Sequence, residues 1–291
     1  MVTMRGGAGW IPLAHIDGGI AAIIPARDEE DSILAAVGNA RAAGARTIHV
    51  IVNGSTDRTA AIALAARSGV HVHEFREALG LDVPRAVGAA LCLACGGFMG
   101  LPAGAVLFLD GDMSGPVGDA LKRLIEPVLD GRLDLSLTRC SAGVERGPNA
   151  ARVAGAALAL NSRLGLSDSI GISSPSHGPS ACSIRLLRSV EPRDFATPPV
   201  LLARAVLGGL RAGVGVSLRH DALGSPYRGE EYARLVADTI IGDCAEAIAV
   251  FKGDPRTREL DGHEYSGLNP NRRFDVLDSV VRSILAQAGT P

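Results

Sequence analysis

Ala105-Val106-Leu107-Phe108-Leu109-Asp110-Gly111-Asp112-Met113 is the stretch whose reading decides the fold. An unbroken apolar run leads straight into two aspartates separated by one glycine. Such a run, without charge or alternation, reads as a strand buried on both faces, as in a parallel sheet. Open α/β sheets place their ligands beyond the C-terminal ends of these strands. Gly111 lets the backbone turn, so that both carboxylates can face one point past the sheet edge. Crowded carboxylates repel unless a cation lies between them. Hard oxygen ligands suit Mg²⁺ or Mn²⁺ shared with a substrate phosphate. The plain alternative is an exposed Asp-Gly-Asp turn, and the apolar strand in front of it favours the metal reading.

Strand–helix units precede this strand. Ile20–Ile24 reads as a strand ending in Pro25-Ala26-Arg27-Asp28-Glu29-Glu30, with Asp28 or Asp31 capping a helix to about Ala43. Thr47–Val52 is a second strand, ending in Asn53-Gly54-Ser55-Thr56-Asp57, after which Thr56 or Asp57 caps a helix through Arg67. Val70–Glu74 is a third, and a helix entered between Gly80 and Gly88 runs to about Cys95. This alternation predicts a parallel sheet with right-handed crossovers, its polar loops converging on one edge as a nucleotide crevice. Beyond Met113, helices are expected over Val117–Leu129, Ala150–Leu164, Pro199–Ala212, Glu230–Phe251 and Phe274–Ala288. Strands are expected over Leu133–Thr138 and Val214–Leu218, with a loop over Ser173–Ser180 and a polar, flexible segment over Pro255–Pro270.

Composition narrows the function. The 291 residues, 47% hydrophobic and 21% charged, can build one large α/β domain with an appendage. A net charge of -2 and only 3% aromatics argue against a nucleic-acid partner. The odd set Cys92, Cys95, Cys140, Cys182 and Cys244, without dense spacing, is expected of a reducing cytoplasm. Cys92 and Cys95 form a C-x-x-C at helical spacing with no second pair, so packing is the better reading. Val87–Leu109 is uncharged and long enough to span a bilayer, but Gly96, Gly97, Gly100, Pro102 and Gly104 interrupt it. No transmembrane segment is expected. His71 and His73 share a strand face and could chelate, although a solvated face is the commoner reading.

The strings Pro25-Ala26-Arg27-Asp28-Glu29-Glu30, Asn53-Gly54-Ser55-Thr56-Asp57, Asp110-Gly111-Asp112 and Val216-Ser217-Leu218-Arg219-His220 together resemble nucleotide-sugar-dependent glycosyltransferases of the A-type fold. Within that group the likeness is to glucosyl-3-phosphoglycerate synthases and their mannosyl relatives, over roughly residues 18 to 250. The resemblance implies a Rossmann-like, mostly parallel sheet with helices on both faces and a C-terminal helical extension. It implies an arm at 1–18, a nucleotide-sugar half at 19–139, an acceptor half at 140–251 and an extension at 252–291. Pro25, Ala26, Arg27 and Glu29 would line the nucleoside pocket, with Glu29 on the ribose and Asn53 by the base. Asp110 and Gly111 would meet the ribose or metal, and Asp112 would bind the metal with His220 completing its shell. An imidazole among oxygen ligands favours Mn²⁺ over Mg²⁺. Gly147, Asn149 and His177 would face the acceptor.

The chain departs from relatives in two places. Leu81 stands where they carry a lysine, and Arg85, about one helical turn on, is expected to supply that charge to the diphosphate. Gly147-Pro148-Asn149-Ala150 replaces an Arg-Val-Thr-like loop, which weakens the expectation of a phosphoglycerate acceptor. The implied reaction is metal-dependent transfer of a sugar from a UDP- or GDP-sugar to a small acceptor hydroxyl, with retention, Asp112 and Arg85 being catalytic. The helix Glu230–Phe251 offers a homodimer surface. Alternatives are a haloacid-dehalogenase-type phosphatase, a sugar-phosphate nucleotidyltransferase, and a sugar-nucleotide-binding module without turnover.

Overall fold

The computed structural model describes residues 19–94, 104–141 and 148–288. The expected arm at 1–18 and the candidate Gly147 lie outside the described residues. The first half alternates as anticipated: β1 (Ile20–Ala26), α1 (Ile33–Ala42), β2 (Ala45–Asn53), α2 (Thr59–Ala65), β3 (Val70–Phe75), α3 (Val83–Ala94) and β4 (Ala105–Phe108). The second half continues with α4 (Gly118–Leu129), β5 (Leu135–Ser141), α5 (Pro148–Arg163), α6 (Ser167–Ile170), β6 (Ser180–Ser183), α7 (Ile184–Ser189), α8 (Pro198–Leu207), β7 (Ala212–Arg219) and α9 (Glu230–Lys252). A two-stranded ribbon, β8 (Glu259–Leu260) with β9 (His263–Glu264), and α10 (Phe274–Ala288) close the chain.

One seven-stranded sheet runs in the order β3-β2-β1-β4-β6-β5-β7. All neighbours are parallel except β6, which pairs antiparallel with both β4 and β5. The sheet is therefore Rossmann-like and mostly parallel, as the alternation required. β1 and β4 are apolar on both faces because helices cover both. One face buries Ile24, Val50, Val52, Leu107 and Leu121, under α1, α2 and α4. The other buries Ile23, Ile51, Val87, Phe108 and Phe195, and its core extends into α8, α9 and α10. Gly88 lets α3 press hard on β1, since a Cβ there would lie 2.4 Å from Ile23 Cγ2. Replacing it would push the helix, and Arg85 one turn earlier, off the sheet.

Four expectations need correction. The segment Ser173–Ser180 is a loop as read, but it delivers β6, whose four short, hydroxyl-rich residues carry no strand pattern. The polar segment Pro255–Pro270 is fastened rather than loose. Arg258 inserts under it, donating to Asp243 at 2.6 Å, to the Thr239 carbonyl at 2.8 Å and to the Tyr265 carbonyl at 3.0 Å. His71 and His73 do not form a solvated face. They pack on the buried His49 of β2, with His49 Nδ1 and His73 Nε2 3.1 Å apart. The apolar side of α9, read as a dimer surface, is covered within the chain by α5 and α8. Among the described residues no helix is long and apolar enough to cross a membrane.

Candidate active site

The C-terminal ends of β1, β2 and β4 lie side by side because their strands are neighbours in the sheet. The turn after β4 is tied back to β1 by the Gly111 N–H, which donates to the Pro25 carbonyl at 2.8 Å. Gly111 is required there: a Cβ would come within 2.9 Å of Ala26 Cβ and 3.0 Å of that carbonyl. Pro25, Ala26, Asp110, Gly111 and Asp112 are thus brought together at one edge. Arg27 points outward, 3.8 Å from Asp28 and largely exposed.

The acidic string after β1 divides into different jobs. Asp28, in a left-handed conformation with φ 54, accepts from the Thr56 N–H at 2.7 Å. Glu30 accepts from Arg58, and its N–H donates to Asp57. These bonds lace the β1–α1 loop to the β2–α2 loop. Asp28 and Asp31 therefore do not cap α1, whose N-cap is Ser32 without a side-chain capping bond. The cross-loop bonds to the serine and threonine of the second motif draw Asp28 away. Asp57 does serve the next helix, accepting the Thr59 N–H at 2.9 Å. Glu29 turns inward and is buried. It accepts from Ser32 Oγ at 2.7 Å and forms an ion pair with Arg228.

Asn53 stands at the end of β2 and holds the loop before α3. Its Oδ1 accepts the Leu79 N–H at 2.6 Å and its Nδ2 donates to the Gly80 carbonyl at 3.3 Å. That places the amide beside the crevice with a structural duty. Arg85 sits in the first turn of α3, buried, with Nη2 2.5 Å from Asp110 Oδ1 and Nε 3.1 Å from Asp82 Oδ1. The expected charge at this position is present and aimed at the aspartate pair.

Asp112 accepts from Ser225 Oγ at 3.0 Å and faces Arg228 Nη2 at 3.8 Å. Burial, then the neighbouring Asp110 charge, pushes its carboxyl up to about 6, against the pull of Ser225 and Arg228. Arg228 bridges Glu29 and Asp112 and was not legible in the sequence, because it lies 199 residues from Glu29 in an irregular link between β7 and α9. Its one signal is the pair of glycines, Gly224 at φ 73 and Gly229 at φ 94, that turn this link across the aspartates.

His220 opens a short 3₁₀ turn directly after β7 and is exposed. That turn is fastened to the aspartate loop: the Gly115 N–H donates to the Leu223 carbonyl and Ser114 Oγ to the Gly224 carbonyl, both at 2.9 Å. Burial, and to a lesser extent the neighbouring His220, lowers the pKa of His177 in the loop before β6. Asn149, in the first turn of α5, accepts from Arg152 at 3.1 Å. Among the described residues, no group of three or more His, Cys, Asp or Glu side chains is arranged to hold a metal ion alone.

Residues 21–153 match the family model of glycosyl transferase family 2. The match runs from β1 into α5, so the aspartate pair, Glu29, Asn53 and Arg85 all lie within the matched stretch. A mycobacterial protein of known structure shares the fold at 20% identity and a TM-score of 0.55, over 86% of this chain and 81% of its own. Two structures of glucosyl-3-phosphoglycerate synthase from Mycobacterium tuberculosis also share it. One holds phosphoglyceric acid (19% identity, TM-score 0.51, covering 86% of this chain and 87% of that one). The other holds Mn²⁺ and UDP-glucose (18% identity, TM-score 0.51, covering 86% of each chain). No curated protein matches the chain significantly. The resemblance drawn from the motifs thus holds for the fold, and its first three motifs lie within the stretch that matches the family model.

Proposed function

We propose that this chain transfers a sugar from a nucleoside diphosphate sugar, with UDP-glucose the first donor to test, to a small acceptor hydroxyl. The observation that carries the reading is the Asp110–Gly111–Asp112 turn at the sheet edge, facing Glu29 and flanked by Arg85 and Arg228. The donor set fits a hard divalent cation, Mn²⁺ or Mg²⁺. Asp112 is a half-buried carboxylate whose charge burial disfavours, and Arg228 meets it only at 3.8 Å. Asp112 would hold the ion, with His220 at the neighbouring turn and donor oxygens completing the shell. When bound, the cation neutralises charge building on the departing diphosphate.

The protein groups do the rest. Glu29 is placed to accept from a ribose hydroxyl once Arg228 is drawn to phosphate. Arg85, fixed between Asp82 and Asp110, would present its guanidinium to the diphosphate. The His177 loop and the start of α5 form the acceptor side. The resemblance to glucosyl-3-phosphoglycerate synthases supports transfer with retention. The test is a panel of UDP- and GDP-sugars with Mn²⁺, scored for nucleoside diphosphate release and for the anomer formed. Release from no member would refute the proposal; phosphate release from simple phosphomonoesters would favour a phosphatase instead.

A further inference from the structure

Arg272 lies 160 residues after Asp112 in sequence, yet it belongs to the same chain of charges. Its side chain is fully buried and all five of its N–H donors have acceptors. Nε donates to the Leu81 carbonyl at 3.0 Å. Nη1 donates to Asp243 Oδ1 at 2.7 Å and to Asn269 Oδ1 at 3.3 Å. Nη2 donates to Asp243 Oδ2 at 2.7 Å and to Asp82 Oδ2 at 3.2 Å. Asp82 thus gives one oxygen to Arg272 and the other to Arg85, whose far end holds Asp110. Signs alternate along Asp110, Arg85, Asp82, Arg272 and Asp243.

The backbone repeats the connection. The Arg273 N–H donates to the Leu79 carbonyl at 2.8 Å. Gly80, at φ 89, abuts the Asn271 carbonyl so closely that a Cβ would lie 2.4 Å from it. Asn53 holds the same loop from the other side. The loop that launches Arg85 is therefore gripped between β2 and residues 271–273.

We propose that Arg272 is a positioning residue for the donor site: through Asp82 it sets the direction of Arg85, and the segment before α10 is a working part of the diphosphate pocket. Without the Arg272 fork, which holds Asp82 and Asp243 at once, Asp82 would turn toward Arg85 and draw that guanidinium away from Asp110. A side chain that merely stabilised the fold would have no selective effect on phosphate recognition.

This inference rests on Arg85 meeting the donor diphosphate, and calorimetry with UDP and uridine in the presence of Mn²⁺ separates the two ideas. Arg272→Lys, which keeps the charge but loses the fork, should weaken UDP binding about tenfold while uridine binding stays within about twofold. In an Arg85→Ala background the same change should cost no further UDP affinity. If Arg272→Lys fails to fold, Asp82→Asn keeps the shape of the link and should give the same selective loss. Equal losses for both ligands, unchanged UDP binding, or full additivity with Arg85→Ala would overturn the positioning role. A wild-type chain that binds UDP with Arg85→Ala having no effect would overturn the donor-site reading of Arg85, and this inference with it.

Discussion

Charge at the crevice decides which residues matter. Glu29, Asp110 and Asp112 meet Arg85 and Arg228, leaving an excess of negative charge before any donor diphosphate arrives. A further anion is accepted there only with added positive charge, which is the physical case for a divalent ion. His220 is exposed and fills no core space, so its role can be separated from packing. His220→Ala should raise the Mn²⁺ concentration needed for half-maximal turnover several-fold while shifting Tm by less than about 2 °C. A sharp fall in Tm with unaltered metal dependence would make the residue structural. Asp110 and Asp112 were legible because a charge pair ends an apolar strand. Arg228 was not, because nothing local distinguishes an arginine in a loop, and its partners come from distant parts of the chain.

Among elements, β3 carries an unusual load. His71 and His73 face His49 on β2, with no carboxylate among the causes of their shifts. Burial holds His49 well below the ordinary histidine value and brings His73 down to about 4. In the unfolded chain these groups take up protons near 6.5, whereas folded His73 resists until about 4. Stability is therefore complete above about pH 6.5 and falls with pH through the window down to about 4, by up to ~1.4 kcal/mol per pH unit for each histidine kept neutral. Thermal melts at pH 7 and pH 5 should show the loss, and His73→Leu should flatten it. Equal Tm values at both pH values would show that the cluster accepts protons freely. The sequence revealed the pair on β3 by its period of two, but His49 could be added only once the register of β2 against β3 was known. β6 was hidden for a different reason: Ser180-Ala181-Cys182-Ser183 is buried on both sides of an antiparallel insertion, where neighbours rather than residue type determine the strand.

Across the whole molecule, the proposed acceptor side is where the fold and the resemblance part. Glucosyl-3-phosphoglycerate synthase structures share this architecture at TM-scores near 0.5, a likeness of fold. Here the described cations near the proposed acceptor side are engaged elsewhere: Arg139 donates to the Ser169 carbonyl, and Arg152 pairs with Asp238 at 2.5 Å and with Asn149. Pro148 opens α5 without an N–H to offer. With saturating sugar nucleotide, 3-phosphoglycerate should therefore be glycosylated no faster than water hydrolyses the donor. Product forming well above that background would show that these arginines are released when the acceptor binds. The first half of the fold was legible because hydrophobic runs alternate cleanly with helical stretches. The second half was legible in its long helices and in β5 and β7, whereas residues 252–273 are held by buried ion pairs that leave no periodic trace.

The central claim, a donor site organised by a divalent cation on Asp112, is tested most directly by calorimetric titration of UDP-glucose into the intact chain with Mn²⁺, with EDTA, and with Mn²⁺ after Asp112→Asn. Binding should be strong only in the first case, and the variant should melt within a few degrees of wild type while losing turnover by about 100-fold or more. Undiminished binding with EDTA, or in Asp112→Asn with Mn²⁺, would contradict it.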